Sequence, residues 1–327
     1  MENKVSIIIC HHTGKLVDKC LDSLKNAEAE KILATSDTDL FSFQKWLKPN
    51  GQVKLLTFIP ELNQPTLKRN FGASFAKGDY LVFMDDDVVA GKRCIERMAS
   101  YLDDHPDTGM VYAMLYKMDD HKKIDTSGSF LSWCGFLYET YQERITAVPV
   151  LSGKSACCMI RKDLFNKIGR FDEEFVMYGE ETDLSWRVWL AGYKIMVLPS
   201  AIGYHAFDTA LKPREYYNQD YIFYHGCKNY PMMLIKNLPT NKLYIAAINA
   251  FLWGIMGCCL LFKNKRGAGL IFKGISYNIR NFGAIWGKRK RIQAGASHQC
   301  HQIYSRNPPL MYYFSRFIDY LKDQLHH

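Results

Sequence analysis

The chain has 327 residues, of which 48% are hydrophobic and 14% aromatic, a composition that excludes a disordered chain and predicts a globular protein with a sizeable core. Ten cysteines without a CxxC pair exclude a disulfide framework or a zinc knuckle, and favour a reducing compartment. The net charge of +9 is uneven, because residues 211–327 carry 17 Lys and Arg against 4 Asp and Glu, and this basic part predicts an anionic partner, either a membrane surface or nucleic acid.

The first part of the chain alternates strand and helix patterns. The β-branched run at 5–10 is too short for the apolar region of a signal peptide and predicts a first strand. Apolar spacing predicts helices over 15–26 and 66–76. Further strands are predicted over 31–35, 54–58 and 80–85. This order predicts an α/β fold, a mixed, mainly parallel sheet flanked by helices on both faces.

Three consecutive acids, Asp85, Asp86 and Asp87, end the predicted strand over 80–85. In an open α/β sheet, ligands bind just beyond the carboxyl ends of the strands. Adjacent carboxylates repel one another, so a divalent cation that carries phosphates would offset their charge. An acidic turn without a ligand is the alternative for this tripeptide alone.

Three more acids, Glu180, Glu181 and Asp183, fall in the first turn of a predicted helix. Acids favour helix N-termini through the helix dipole, but two would suffice, so the third leaves room for a chemical role. Residues 193–199 return to a strand pattern, and His205 lies just past that predicted strand, either as a structural histidine or as a ligand.

Four segments in order along the chain carry a resemblance to a known family. They are VSIII at 5–9, RNFGASFAKGDY at 69–80 before the triple Asp, FDEEFVMYGEETDLSWR at 171–187, and His205. Together they resemble the inverting, GT-A-fold glycosyltransferases of family 2, and most of all the rhamnosyltransferase-like branch. The resemblance implies a GT-A (Rossmann-like) catalytic domain over 1–240 and leaves 241–327 as a helical, basic C-terminal extension.

The chain departs from the family pattern at three places. The family usually has Pro-Thr-Tyr-Asn after the first strand and Asp-Asp-Gly-Ser after the second, where this chain has CHHT at 10–13 and ATSD at 34–37. The usual Glu-Asp pair is Glu180-Glu181 here. The first two changes fall on the pocket for the nucleotide base, so the identity of the donor base stays open. They do not affect the residues that the resemblance assigns to the reaction.

On the donor side, the resemblance implies a metal-dependent inverting hexosyltransferase in which Mn²⁺ or Mg²⁺ binds the diphosphate of a nucleotide sugar. Asp87 and His205 would be metal ligands, Asp85 would contact the metal or the donor ribose, and Asp86 would assist. An imidazole among the ligands favours Mn²⁺ somewhat.

Three further residues are candidates for donor contacts. Arg69 and Asn70 would reach the diphosphate or the base, although basic and polar helix residues are often only solvated, and His11 would contact the base. The predicted donor is dTDP-rhamnose or a UDP-hexose.

On the acceptor side, the resemblance implies Glu181 as the general base, with Glu180 as the fallback. Asp183 would orient the acceptor or the helix N-terminus, and Gly153 is a further acceptor candidate. Trp133 either stacks on a sugar ring or is buried in the core. One base and in-line attack predict inversion at the anomeric carbon, without the second carboxylate that a retaining hydrolase needs.

The segment 243–262 carries no charged residue and is long enough, as a helix, to span a bilayer. Lys242 and Lys263 flank them, and basic residues on both sides disfavour a single span. A segment lying on the membrane, a buried helical subdomain and a true span stay open. The first of these predicts a cytoplasmic protein, peripheral at the inner face of the cell membrane, and hence a lipid-linked cell-surface polysaccharide precursor as the glycan acceptor, with a protein acceptor as the alternative.

Two alternatives belong to other classes of protein. A catalytically silent nucleotide-sugar or glycan-binding module could keep this fold without its chemistry. A nucleic-acid-binding protein could use the basic run at 288–291, but the acidic body and the lack of interleaved aromatic and basic residues oppose it, so no nucleic acid is expected as a partner.

Overall fold

A computed structural model describes residues 4–11, 16–37, 46, 53–57, 64–206 and 219–297. Several predicted features lie outside these residues. They are residues 12 and 13 of the CHHT stretch, the last residue of the strand predicted over 54–58, and residues 298–327 of the C-terminal extension.

Ten strands form one mixed sheet. The strands of the chain are β1 (Val5–Cys10), β2 (Glu30–Thr35), β3 (Lys54–Thr57), β4 (Tyr80–Asp85), β5 (Val88–Ala90), β6 (Thr108–Lys117), β7 (Ile124–Thr126), β8 (Ser129–Leu131), β9 (Leu137–Glu139), β10 (Val148–Pro149), β11 (Cys157–Arg161) and β12 (Lys194–His205). The sheet order is β10-β12-β6-β11-β4-β1-β2-β3, with β5 paired to β12 and β7 to β6, while β8 and β9 form a separate pair. The pairs β1–β2, β1–β4, β2–β3 and β6–β12 are parallel. Strand β11 is antiparallel to both of its neighbours, β4 and β6. The predicted mixed, mainly parallel sheet is confirmed.

Helices cover the sheet and form the C-terminal part of the described chain. They are α1 (Val17–Ser23), α2 (Pro65–Phe75), α3 (Cys94–Asp104), α4 (Lys162–Lys167), α5 (Glu180–Leu190), α6 (Gln219–Tyr221), α7 (Cys227–Asn237), α8 (Tyr244–Leu260), α9 (Lys265–Arg280) and α10 (Phe282–Ala294). A π-helical turn, Ile222–Gly226, joins α6 to α7.

Both faces of the sheet are buried, which explains the unbroken apolar runs of its central strands. In β1, Ile8 packs into a cluster with side chains of α2, α5 and α7 on one face. Its neighbours Ile7 and Ile9 pack into a second cluster with side chains of α1 and α3 on the other face. Alternate residues of one strand thus serve two cores, and none of the three has exposed surface.

Two element boundaries differ from the prediction in ways that matter. The helix predicted over 15–26 is shorter within the described residues 16–26, where α1 covers Val17–Ser23, and residue 15 lies outside the described part of the chain. The strand predicted over 193–199 runs on to His205, because the register of β12 against β6 shifts between Leu198 and Ile202. His205 is therefore the last residue of a sheet strand, opposite Lys117, rather than a residue just past it.

Helices α7, α8 and α9 pack around a third apolar cluster that includes Trp253, Met256 and Ile271. Helix α10 packs against α7 and α9, and its buried Ile285 belongs to the first cluster. Among the described residues, one helical segment, Thr240–Leu260, is long and apolar enough to cross a membrane by length and composition, with a mean hydropathy of 1.9. Of the most apolar 18-residue stretch of this segment, 39% is buried inside the protein. The predicted domain boundary near residue 240 stays a prediction.

Candidate active site

The chain reversal after β4 brings the acidic triplet to His205. β4 ends at Asp85, and β5 follows at once and pairs with β12 so that Val88 lies opposite His205. This pairing places Asp87 Oδ1 at 3.4 Å from His205 Nε2. One potential ligand atom from each of Asp85, Asp87 and His205 lies within 4.8 Å of the others. The residues that the sequence predicts as metal ligands are thus brought together.

These three side chains form a donor set that fits a divalent ion. Two carboxylates and one imidazole suit Mg²⁺ or Mn²⁺, and the imidazole favours Mn²⁺. Asp87 and His205 are almost fully buried, while Asp85 keeps about a third of its side chain exposed (31%), which leaves the cluster open on one side. An ion held there would have protein on one side and room for a ligand on the other.

Asp125, which no sequence motif marks, holds His205 from behind. Its Oδ2 lies 2.9 Å from His205 Nδ1, and Lys154 Nζ donates to both Asp125 oxygens at 3.0 Å. Burial alone would lower the pKa of His205, but the hydrogen bonds with Asp125 and Asp87 outweigh it and raise that pKa to about 9. A carboxylate on the far nitrogen fixes the ring so that the other nitrogen faces a metal. The contact depends on β7 pairing with the end of β6, which the sequence did not predict.

Arg69 connects the acidic triplet to the second acidic cluster. It is 3% exposed, and its guanidinium lies 2.9 Å from Asp85 Oδ1 and 3.2 Å from Glu180 Oε1. Burial would lower the pKa of Arg69, but the carboxylates of Asp85 and Glu180 raise it above its ordinary value. A solvated position for Arg69 is therefore wrong, and the residue instead fixes two acids on neighbouring elements relative to each other.

The two glutamates begin α5 after a reversal of the chain. Tyr178 and Gly179 both adopt left-handed backbone conformations, with φ of 66° and 87°, and glycine adopts this conformation without strain. Glu180 is buried beside Arg69, whereas Glu181 is half-buried. Burial and the neighbouring Glu180 carboxylate raise the pKa of Glu181 well above its ordinary value. A carboxylate with a raised pKa accepts a proton more readily than an ordinary glutamate does.

The C-terminal helices hold the segment that precedes α5. Lys236 and Lys288 lie 2.6 and 2.7 Å from the Asp172 carboxylate. Lys228 Nζ donates to the carbonyl of Glu174 at 2.6 Å, and Asn229 donates to the carbonyls of residues 177 and 178 at 2.7 and 2.8 Å. These contacts from α7 and α10 fix the turn from which Glu180 and Glu181 emerge.

Asp183 does not face the site. Its side chain is fully buried and forms ion pairs with Arg187 at 2.9 Å and with Lys236 at 2.8 Å, and it accepts a hydrogen bond from Asn237 at 2.8 Å. Burial would raise the pKa of Asp183, but Lys236 and Arg187 lower it. The structure therefore supports the helix-orienting half of its prediction and gives no route to an acceptor.

Asn70 is occupied by the same neighbouring segment rather than turned to a donor. Its side-chain amide donates to the Phe171 carbonyl and to Glu173 Oε1, both at 2.9 Å, and accepts from the Phe171 amide at 3.0 Å. The contact of Asn70 with a diphosphate or a base, predicted from its place upstream of β4, is thus not supported. Its position on the buried face of α2 explains why.

The departures from the family pattern at 10–13 and at 34–37 place their side chains next to each other, through His11 and Thr35. His11 Nδ1 lies 2.7 Å from the hydroxyl of Thr35, and His11 Nε2 lies 3.7 Å from Asp86 Oδ2. His11 is 2% exposed and Asp86 is 8% exposed. His11 follows β1 and Thr35 ends β2, both at the carboxyl edge of the sheet. The side chains that replace the family residues thus form one small polar group beside Asp86.

Gly153 and Trp133 have different environments. A side chain at Gly153 would place its Cβ 2.7 Å from Cγ of Tyr112, so the glycine is explained by close packing and its acceptor contact stays a prediction. Trp133 is 42% exposed in the turn between β8 and β9, so it is not buried in the core. Its ring is accessible to a sugar, which leaves the stacking prediction open.

Comparison with known proteins connects this site to an enzyme family. The family model described as "Glycosyl transferase family 2" matches residues 6–169. The O-antigen biosynthesis protein RfbC of Myxococcus xanthus is 24% identical over 199 residues, which cover 55% of this chain and 15% of that protein. The N-acetylglucosaminyl-diphospho-decaprenol L-rhamnosyltransferase of Mycobacterium tuberculosis is 35% identical over 90 residues, 25% of this chain and 29% of that one.

A third relative is named as inactive. The inactive polypeptide N-acetylgalactosaminyltransferase-like protein 5 of Mus musculus is 28% identical over 231 residues, which cover 62% of this chain and 52% of that protein. The chain therefore spans at most about half the length of these three curated relatives.

Solved structures show the same fold. Staphylococcus aureus TarS 1–349 superposes with a TM-score of 0.54 at 15% identity, covering 88% of this chain and 91% of that one. GalNAc-T7, solved with UDP, GalNAc and Mn²⁺, gives a TM-score of 0.52 at 15% identity, covering 76% of this chain and 55% of that one. The GT-A fold expected from the sequence is confirmed.

Proposed function

Because the chain belongs to glycosyl transferase family 2, we propose that it is an active, inverting enzyme that moves a sugar from a nucleotide-diphosphate donor to a hydroxyl of a glycan acceptor. One observation carries the proposal. The cluster of Asp85, Asp87 and His205 is joined through Arg69 to Glu180, next to Glu181, so a charge-stabilising site and a candidate base share one edge of the sheet.

On the donor side, Asp87, His205 and Asp85 would hold Mn²⁺ or Mg²⁺. The bound ion would supply Lewis-acid stabilisation of the leaving diphosphate. Arg69 keeps Asp85 in place, and Asp125 keeps the His205 ring turned toward Asp87. Because both supports are buried, the ligand set is organised before a donor binds.

On the acceptor side, Glu181 would take the proton from the attacking hydroxyl. Burial and the neighbouring Glu180 carboxylate, which is paired with Arg69, raise the pKa of Glu181, and a raised pKa makes a carboxylate a better proton acceptor. One base on the sugar face opposite the diphosphate gives direct in-line displacement and inversion at the anomeric carbon.

The donor we favour is dTDP-rhamnose, with a UDP-hexose second. The L-rhamnosyltransferase name of one relative supports the first, and the UDP bound to GalNAc-T7 supports the second. A lipid-linked cell-surface polysaccharide precursor is the acceptor that we propose, supported by the O-antigen and decaprenol names of two relatives.

A catalytically silent module is the second candidate, because one relative is named as inactive. The acids of this chain oppose it. Asp85, Asp87, Glu180 and His205 lie within a connected set of short contacts, which a chain that binds only glycan has no need to keep.

Calorimetric titration with UDP, dTDP and GDP, each with and without Mn²⁺, tests the proposal. We expect one nucleotide to bind in a Mn²⁺-dependent manner, and the matching nucleotide sugars would then be screened for transfer. If a folded protein binds none of the three, the transferase proposal is wrong. Mn²⁺-dependent binding without transfer or hydrolysis of any matching sugar would favour the silent module.

We also propose that the protein is peripheral at an anionic membrane surface on the cytoplasmic side. The solvent-facing side of α8 and the residues after it is apolar at helical spacing, formed by Tyr244, Ala247, Phe251, Ile255, Cys258 and Phe262. Phe251 is 68% exposed and Phe262 is 93% exposed. Exposed basic residues follow this surface at positions 263, 265, 266, 273 and 280. An apolar face with basic neighbours favours a lipid surface with negative headgroups.

Replacing Phe251 and Phe262 together by Glu should abolish vesicle binding. Burial of each ring is worth roughly 1.5–3 kcal/mol, so the loss should exceed tenfold in apparent affinity. Sedimentation with vesicles that contain phosphatidylglycerol, compared with neutral vesicles, measures it. Ile145→Glu is the matched control, because Ile145 is 94% exposed far along the chain from these helices. Equal binding by the double variant and the control would contradict the proposal.

A further inference from the structure

A cavity adjoins the candidate metal site, and four of its eight lining residues are lysines. Its volume is about 620 Å³, and it lies beside β7 and the end of β6. The lining side chains that matter here are Lys117, Lys122, Lys123, Lys154, Asp125 and Tyr141. Four ammonium groups around one cavity are unusual for a surface whose acids outnumber its bases elsewhere in residues 1–210.

Asp125 forms a wall that this cavity shares with the candidate active site. The carboxylate lies on the Nδ1 side of His205, while Asp87 lies on the Nε2 side, so the cavity and the acidic cluster flank one imidazole ring. The strand register adds a second link, since Lys117 lies directly opposite His205 across β6 and β12. A group bound in the cavity would therefore be a near neighbour of the donor diphosphate.

Both acids of the cavity lie close to basic side chains, whereas two of its lysines have no acidic partner among the described residues. Asp125 is bonded to His205 and to Lys154, and Glu139 lies 3.7 Å from Lys154. Lys123 pairs with Asp120 at 3.0 Å. Over the parts of the chain that the structure describes, Lys117 and Lys122 form no ion pair. The cavity thus presents an excess of positive charge that an anion would complement.

We propose that this lysine cavity binds a phosphoryl group during the transfer reaction. Lysine ammonium groups bind phosphate as point charges, and four of them line this cavity. The phosphoryl group comes either from the acceptor, as in a phosphate-linked lipid carrier, or from the distal end of the donor diphosphate. The inference rests on the proposed function, and it extends it by giving the substrate a second anionic contact outside the acidic cluster.

The test uses inorganic pyrophosphate with EDTA present, so that the cluster of Asp85, Asp87 and His205 cannot bind it through a metal. We expect wild-type protein to bind pyrophosphate in a salt-sensitive manner and the K117A/K122A variant to bind it at least about tenfold more weakly. The matched control is K25A/K92A, which removes two exposed lysines outside the cavity. Absence of pyrophosphate binding by the wild type, or equal binding by both double variants, would overturn the proposal.

Two further arms identify the source of the phosphoryl group. If it belongs to the donor, K117A/K122A weakens Mn²⁺-dependent binding of the nucleoside diphosphate but not of the monophosphate. If it belongs to the acceptor, nucleotide binding is unchanged and the variant loses preference for neutral vesicles that carry farnesyl phosphate. Failure of the proposed function would look different, because the wild type would then bind no nucleotide with Mn²⁺ at all.

Discussion

Replacing Asp87 by Asn is expected to remove Mn²⁺-dependent nucleotide binding and to lower kcat/KM by at least about 10³-fold. Asp87 is 5% exposed, and its Oδ1 lies 3.4 Å from His205 Nε2. The amide introduced by Asp87→Asn would leave Asp85 as the one carboxylate among the three candidate metal ligands. Lewis-acid stabilisation of a leaving phosphate is worth several kcal/mol, which corresponds to this change in rate. Calorimetry with the nucleotide and Mn²⁺, together with steady-state kinetics, measures both effects.

Asp104→Asn is the matched control, because Asp104 is exposed at the end of α3, away from the cluster. The thermal unfolding midpoint of both variants should be recorded, since Asp87 is buried and its loss could also affect the fold. A folded Asp87→Asn variant that keeps metal-dependent binding would rule out the assignment of Asp87 as a metal ligand.

Replacing Glu181 by Gln is expected to lower kcat by about 10²–10⁴-fold while leaving donor binding nearly unchanged. Glutamine keeps the size of the side chain but cannot accept the acceptor proton. Glu181 is outside the ion pair that fixes Glu180 to Arg69, so nucleotide affinity should not depend on it. Single-turnover kinetics separate the chemical step from binding. Glu143→Gln, at an exposed position, is the control.

The pH dependence of kcat/KM gives this assignment a second, independent readout. A base works only when deprotonated, so activity should rise with pH through the pKa of Glu181. Burial and the Glu180 carboxylate raise this pKa, so the rise should come above the range of an ordinary glutamate. Glu180→Gln removes the neighbouring charge and should move the rise to lower pH. An unchanged profile in Glu180→Gln would mean that Glu181 is not the titrating base.

Much of the fold could be predicted because it depends on local patterns. The continuous apolar runs of β1 and β4 reflect burial on both faces of a sheet, and the acids at the end of β4 reflect its carboxyl edge. The proximity of Asp87 and His205 could be predicted only through the family resemblance. The pairing of β5 with β12, which creates that contact, joins residues more than a hundred positions apart.

The supporting residues could not be predicted for the same reason. Asp125 lies in a three-residue strand with no motif, and it becomes important only because β7 folds back on β6. Asp183 and Asn70 have the residue types of a binding site, but their partners come from α7 and from the segment before α5. Residue type alone does not distinguish a side chain that faces substrate from one that holds another element.

The contacts between the C-terminal helices and the segment before α5 have a consequence for what counts as the smallest working enzyme. A chain cut after residue 240 would keep Lys236 but lose Lys288 and Tyr277, which bond to Asp172 and Glu174. The turn that presents Glu180 and Glu181 would then lose part of its support, even though every residue of the acidic cluster remained. The family pattern alone would place the end of the domain before these helices, whereas side chains of α9 and α10 also hold the segment that leads into the candidate active site.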